Sequence, residues 1–146
     1  MLGLDLGDRR IGLAISDPNE VMAVPIKPIE IKGAAGSKAA AEEAIHAISK
    51  IVLEQRAEKI VVGLPISMSG NVSEQTKKVK RICDQMSKAL PIPVVTWDER
   101  LSTSEADRAL SEAGVTSRMR RNKLDSSAAA IILQGYLDSQ RNIFRA

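Results

Sequence analysis

The sequence predicts a single α/β domain over residues 1–146, built on a mixed sheet that begins as an antiparallel meander and continues with crossover helices. Three observations carry that expectation. Two apolar runs, residues 1–7 and 10–16, are separated only by the tight turn Gly7-Asp8-Arg9, which reads as a hairpin. Past residue 38, stretches with helical spacing alternate with short continuous apolar runs, the pattern of parallel strands joined by helices. The composition, 44% hydrophobic and 27% charged, suits one compact core.

The elements follow in order. After the hairpin, Ala23 to Ile31 reads as a strand, and Pro25 and Pro28 within it place it at a sheet edge. Gly33-Ala-Ala-Gly36-Ser37 breaks the chain. From Lys38 to about Gln55, Ala41, Ala44, Ile45, Ile48 and Val52 follow helical spacing. Lys59 to Leu64 is an apolar run of the doubly buried kind, ended by Pro65 and a polar loop from Ser67 to Asn71. The next helix carries Val79, Ile82, Cys83, Met86 and Leu90 on one face and is stopped by Pro91 and Pro93. Val94 to Trp97 is a further strand. Ser102-Thr-Ser-Glu105 reads as a capping box opening a helix that Gly114 closes, and Leu124 to about Ser139 is the final helix. The right-handed crossover rule leaves few ways to connect this series, and the simplest is the RNase H-like topology. One lobe of the actin-like ATPases shares part of it.

Composition narrows the chemistry. Trp97, Tyr136 and Phe144 are the only aromatics, so no multi-aromatic platform for stacking bases can be built. With Cys83 and His46 each alone of their kind, an internal disulfide and a four-ligand zinc site are both excluded, and a catalytic metal must be held mainly by oxygen. Cys83 falls on the apolar face of its helix and His46 on or beside the stripe of its own, so both are expected to be structural. No run approaches the roughly 18 apolar residues of a membrane span. A cytoplasmic protein is expected, or one of an organelle matrix if a transit peptide has been removed.

Asp5 sits in the middle of the first strand, where an isolated carboxylate is costly to bury. Alternation puts Leu2, Leu4 and Leu6 on one face and Gly3, Asp5 and Gly7 on the other. That second face, bare apart from the carboxylate, suggests a surface that a phosphate with its metal ion could approach closely; an arginine of the second strand is the alternative partner for Asp5. Asp98 and Glu99 directly follow a strand, at the edge where ligands collect in parallel sheets. They point to opposite faces, so one of them joins Asp5 and the other makes a cap or a salt bridge with Arg100. Glu99 is the expected ligand because its longer side chain can reach back to the sheet edge, although a register slip of one residue exchanges the two. Asp125 lies in the first turn of the last helix, where the helix terminus favours an ionised carboxylate and the small residues 126–130 allow close approach to the sheet. Capping that helix is its alternative role.

Acids from three distant segments fit Mg²⁺ or Mn²⁺. Two such ions about 3.5–4 Å apart could generate a hydroxide and stabilise the leaving oxygen of a phosphodiester, with no histidine needed as base. Charge points the same way. From Ser117 onward six basic residues stand against two acids, a local +4 that leaves −1 for residues 1–116. Arg118, Arg120, Arg121 and Lys123, placed just before Asp125, are expected to hold a nucleic-acid backbone, with Arg9 and Arg10 as further contacts. The strand-to-helix loop Gly63 to Asn71 offers backbone N–H groups to a phosphate, but its spacing is not that of a Walker loop.

Taken together these residues resemble the YqgF family, also called RuvX. The resemblance rests on Asp5-Leu-Gly-Asp-Arg-Arg-Ile-Gly12 with Ser16-Asp17, Val61-Val-Gly-Leu-Pro65 with Gly70, Asp98-Glu-Arg-Leu-Ser-Thr103, and Lys123-Leu-Asp125 running into Ala128 to Leu137. It implies an RNase H-like nuclease with Asp5, the acid pair at 98 and 99, and Asp125 as metal ligands. The family is described both as pre-16S rRNA nucleases and as Holliday-junction resolvases. True resolvases carry an acid after the fourth strand, and the resemblance implies that Glu99 or Asp98 replaces it here, because that place holds Gly63-Leu64-Pro65. Structured RNA is therefore the expected substrate and branched DNA the alternative; a homodimer would favour the latter and a monomer the former. A non-catalytic nucleic-acid or nucleotide-binding module is the remaining reading.

Overall fold

The computed structural model of the chain describes residues 1–66, 72–99 and 128–141. Its elements are β1 (Leu2–Leu6), β2 (Arg10–Ser16), β3 (Ala23–Glu30), α1 (Lys38–Gln55), β4 (Ile60–Leu64), α2 (Glu74–Ala89) and β5 (Val94–Asp98), and residues 128–141 are helical. The expected helix from Ser102, the polar loop 67–71 and the first residues of the last helix lie outside the described residues. That last helix runs two residues beyond Ser139, to residue 141.

The five strands form one sheet in the order β3-β2-β1-β4-β5. Pairing is antiparallel between β1 and β2 and between β2 and β3, and parallel from β1 to β4 and from β4 to β5. The meander and the crossovers are thus both present. β3, with its two prolines, is an edge strand, and β4, buried at every position, lies between two neighbours. Between β1 and β2 the chain turns where the Gly7 N–H donates to the Arg10 carbonyl at 3.0 Å; a Cβ on Gly7 would lie 2.6 Å from that same oxygen, so the turn admits only glycine.

α1 and α2 each start where a serine satisfies a free N–H. Ser37 accepts from the Ala40 N–H at 3.1 Å, and Ser73 from the Thr76 N–H at 3.2 Å. α1 ends on Arg56 in the left-handed region, φ 53°, whose N–H caps the last turn, whereas α2 ends on an extended Leu90 before Pro91.

Two apolar layers result. Leu2, Leu4 and Leu6 pack with Ile60, Val62 and Leu64 against Ala44, Ile48 and Val52 of α1 and Val79, Cys83 and Met86 of α2. On the opposite face Ala14 and Val61 pack against Ala129, Ile132, Leu133, Tyr136 and Leu137. Helices therefore cover both faces of the sheet. His46 is exposed and away from the stripe that buries Ala40, Ala44, Ile48 and Val52, so the expectation that it lies on or beside that stripe is corrected. Cys83 is core, and burial, helped by Asp84, pushes its thiol up to about 11.

Candidate active site

β1, β4 and β5 run parallel, so their C-terminal ends, Leu6, Leu64 and Asp98, meet at one edge of the sheet. Asp5 is the single residue of β1 that is not buried. Its leucine neighbours are fixed in the layer against α1 and α2, which turns Asp5 toward the face covered by the helix at 128–141.

β5 settles where the two following acids go. Val94 packs with the α1 and α2 layer, whereas Val95 and Trp97 pack with the other. Glu99 continues the side of Val95 and Trp97, the side of Asp5, and Asp98 belongs to the opposite side. Atomic positions agree with this alternation. A Cβ placed on Gly63 would lie 2.8 Å from Glu99 Oε1 and 2.9 Å from Ile132 Cγ1, so the Glu99 carboxylate lies over β4, between its own strand and β1. Its carboxyl is raised above the ordinary value of 4.5, first by desolvation, then by the charge of Asp5, then by that of Asp98. Two carboxylates brought together in a half-buried place are unfavourable by themselves and suit a hard divalent cation.

The bare face around Asp5 is not an open approach for phosphate. A Cβ on Gly3 would come within 2.8 Å of Leu133 Cβ and 3.0 Å of the Ala129 carbonyl, so this glycine lets the helix settle on the sheet. Gly7 serves the hairpin turn. The small residues at 128–130 do allow the expected close approach, with Ala129 fully buried.

Asp125 and the basic series Arg118, Arg120, Arg121 and Lys123 lie outside the described residues. Among the described residues no three acid, histidine or cysteine side chains converge as a metal cluster. In the sequence Asp125 precedes the helix whose residues Ala129, Ile132 and Leu133 lie on Gly3 and Gly63. Arg9 and Arg10 are both exposed beside the hairpin turn, and Arg10 forms an exposed pair with Glu30 at 3.8 Å that contributes little to stability.

Sequence reasoning missed several supporting groups. Lys59 Nζ donates to the Tyr136 hydroxyl at 3.0 Å, and Trp97 meets the Tyr136 ring edge to face at 6.1 Å, which ties β5 and the start of β4 to the last helix. Gln134 bridges Ala23 N–H and the Val21 carbonyl, each at 2.9 Å. Thr76, the one buried polar residue among those described, bonds Ser73 and the Pro65 carbonyl and so fixes both ends of the loop after β4. A buried threonine three residues after a capping serine was the one available signal.

Comparison with known proteins identifies the family and the fold. A family described as "RuvX: Holliday junction resolvase" matches residues 1–139. A relative from Caldanaerobacter subterraneus subsp. tengcongensis is 46% identical over 97% of this chain and 98% of its own, and one from Clostridium novyi is 42% identical over 95% and 98%; both are named as candidate pre-16S rRNA nucleases. Among solved structures, Thermus thermophilus RuvC in complex with a Holliday junction substrate superposes with a TM-score of 0.61 at 15% identity, covering 96% of this chain and 94% of that one. At that identity the likeness establishes the fold. No helix among the described residues is long and apolar enough to cross a membrane.

Proposed function

The chain belongs to the RuvX family of nucleases, and from that premise we propose that it hydrolyses phosphodiester bonds of structured RNA with Mg²⁺ or Mn²⁺, trimming the 5′ end of pre-16S rRNA in the cytoplasm. One observation carries the chemical part of this reading: the Glu99 carboxylate lies over β4 on the face of Asp5, at the C-terminal edge of the parallel strands, and strand alternation assigns Asp98 to the other face. The names of the 46% and 42% identical relatives support the RNA substrate.

Asp5 and Glu99 would hold the metal from the sheet, and Asp125 would complete the donor set. A bound divalent ion would supply a nucleophile at neutral pH and neutralise charge on the leaving oxygen. The residues of this chain do the rest. Ile132 of the helix seated on Gly3 and Gly63 lies beside the Glu99 carboxylate and keeps it half-buried, so its charge is only partly screened by solvent. Arg118, Arg120, Arg121 and Lys123, with Arg9 and Arg10, would hold the phosphate backbone.

Cleavage of branched DNA is the second reading, favoured by the family's description. Purified protein incubated with precursor rRNA and with four-way DNA junctions, with Mg²⁺, Mn²⁺ or chelator, separates them. Metal-dependent cleavage of the RNA that Asp5→Asn abolishes is expected. Cleavage of junctions alone, or of neither substrate, would overturn the RNA assignment.

A further inference from the structure

Gly63 stands on the one strand between the two that carry Asp5 and Glu99. The β1–β4 register ends at Leu4↔Val62, and Gly63 and Asp5 each follow that pair by one residue; on its other side Gly63 pairs with Trp97. Its φ is not among the positive values, so the backbone does not demand glycine there. What requires it is space. Any Cβ would stand 2.8 Å from Glu99 Oε1, and nearer still to the Ile132 side chain.

Glu99 comes two residues after Trp97, on a strand that does not touch β1. Strands lie about 4.8 Å apart, so its carboxylate reaches toward Asp5 only by lying across the β4 backbone. We infer that Gly63 is a positioning residue of the nuclease site: its missing side chain is the floor on which the Glu99 carboxylate lies to meet Asp5. The inference rests on the metal-binding role proposed above for Glu99. A methyl group at 63 drives that carboxylate off β4 toward solvent, which costs the flexible side chain little but separates the two acids. It also follows that a carboxylate grown from 63 itself, with Glu99 shortened, takes the same place from β4 instead of β5.

The test is Mn²⁺ affinity, read by calorimetry or electron paramagnetic resonance on the whole chain, with circular dichroism confirming the fold. Ile132→Ala serves as the reference, because it clears the helix side and leaves Glu99 as the group opposing the new methyl; Ile132→Val is a milder second reference. On either reference Gly63→Ala is expected to weaken Mn²⁺ binding roughly 10- to 100-fold, the scale of losing a group that orients a metal ligand. The same change made together with Glu99→Gln should weaken it no further. Gly63→Asp combined with Glu99→Ala should recover affinity over Glu99→Ala alone. If Glu99→Gln weakens binding while Gly63→Ala leaves it intact, or the two losses add independently, the role of Gly63 is overturned. If Glu99→Gln itself leaves Mn²⁺ binding unchanged, the metal-binding role of Glu99 fails, and the floor with it.

Discussion

Asp5 lies on β1 and Glu99 directly follows β5, a strand that does not touch β1, and the Glu99 carboxylate lies over Gly63 of the strand between. The pairing is unfavourable in the absence of a cation, since desolvation and the charge of Asp5 both raise the Glu99 carboxyl. A carboxyl raised in the folded state binds its proton more tightly there than in the unfolded chain. Its contribution to stability is therefore fully present below the ordinary value of 4.5 and is lost as pH rises through the higher folded value. Glu99→Gln is expected to melt above the wild type at pH 7 without divalent ions, with the gap closing as pH falls below that value. Melting curves across this range, with and without Mg²⁺, check both the sign and its reversal by metal. A lower melting point for Glu99→Gln at pH 7 would contradict it.

Gly3 is expected to tolerate no side chain. Alanine there meets Leu133 Cβ at 2.8 Å and the Ala129 carbonyl at 3.0 Å, both parts of a packed helix that cannot swing aside as a flexible tip can. Overpacking of this kind costs about 1–3 kcal/mol, measurable by urea unfolding. An unchanged midpoint would mean that the helix at 128–141 sits farther from β1.

Thr76→Val removes the bond to the Pro65 carbonyl while keeping the side chain's shape. Leaving a partly buried carbonyl without its donor costs about 1 kcal/mol. Because Pro65 follows β4 within two residues of Gly63, turnover is expected to fall as well. Unfolding and cleavage rates measured on the same preparation separate the two effects.

The basic series at 118–123 gives a prediction in solution. If Arg118, Arg120, Arg121 and Lys123 each neutralise one phosphate of a single strand, log K falls against log[salt] with a slope of roughly −0.7 per contact, about −3 in all. Replacing all four by alanine should flatten the dependence. An unchanged slope would make the patch an ordinary solvated face.

Much of the fold was legible from the sequence because its signals are local. Pro25 and Pro28 marked an edge strand, the apolar run Lys59 to Leu64 a doubly buried one, and the spacing of Val79, Ile82, Cys83 and Met86 a helix stopped at Pro91, and each depends on a few neighbouring residues. Alternation along β1 likewise separated Asp5 from its leucines. The site was legible only in part because it depends on register between strands. Whether Asp98 or Glu99 faces Asp5 turns on one residue of slip, and only the packing of Val94 against one layer and of Val95 and Trp97 against the other fixes it. The role of Gly3 was misread for the same reason. A bare strand face looks alike in sequence whether a phosphate or a helix is to lie on it.

The most direct measurement compares three variants, Asp5→Asn, Glu99→Gln and Asp98→Asn, in Mg²⁺-dependent cleavage of precursor rRNA at one pH, with melting points recorded alongside. Asp5→Asn and Glu99→Gln should each lose several orders of magnitude in turnover, on the scale of about 10² or more per lost electrostatic group, while remaining folded. Asp98→Asn, whose side chain belongs to the opposite face, should keep most of its turnover and lose at most about 1 kcal/mol of stability. A dead Asp98→Asn beside an active Glu99→Gln would contradict the placement of the site on the face shared by Asp5, Trp97 and the helix at 128–141.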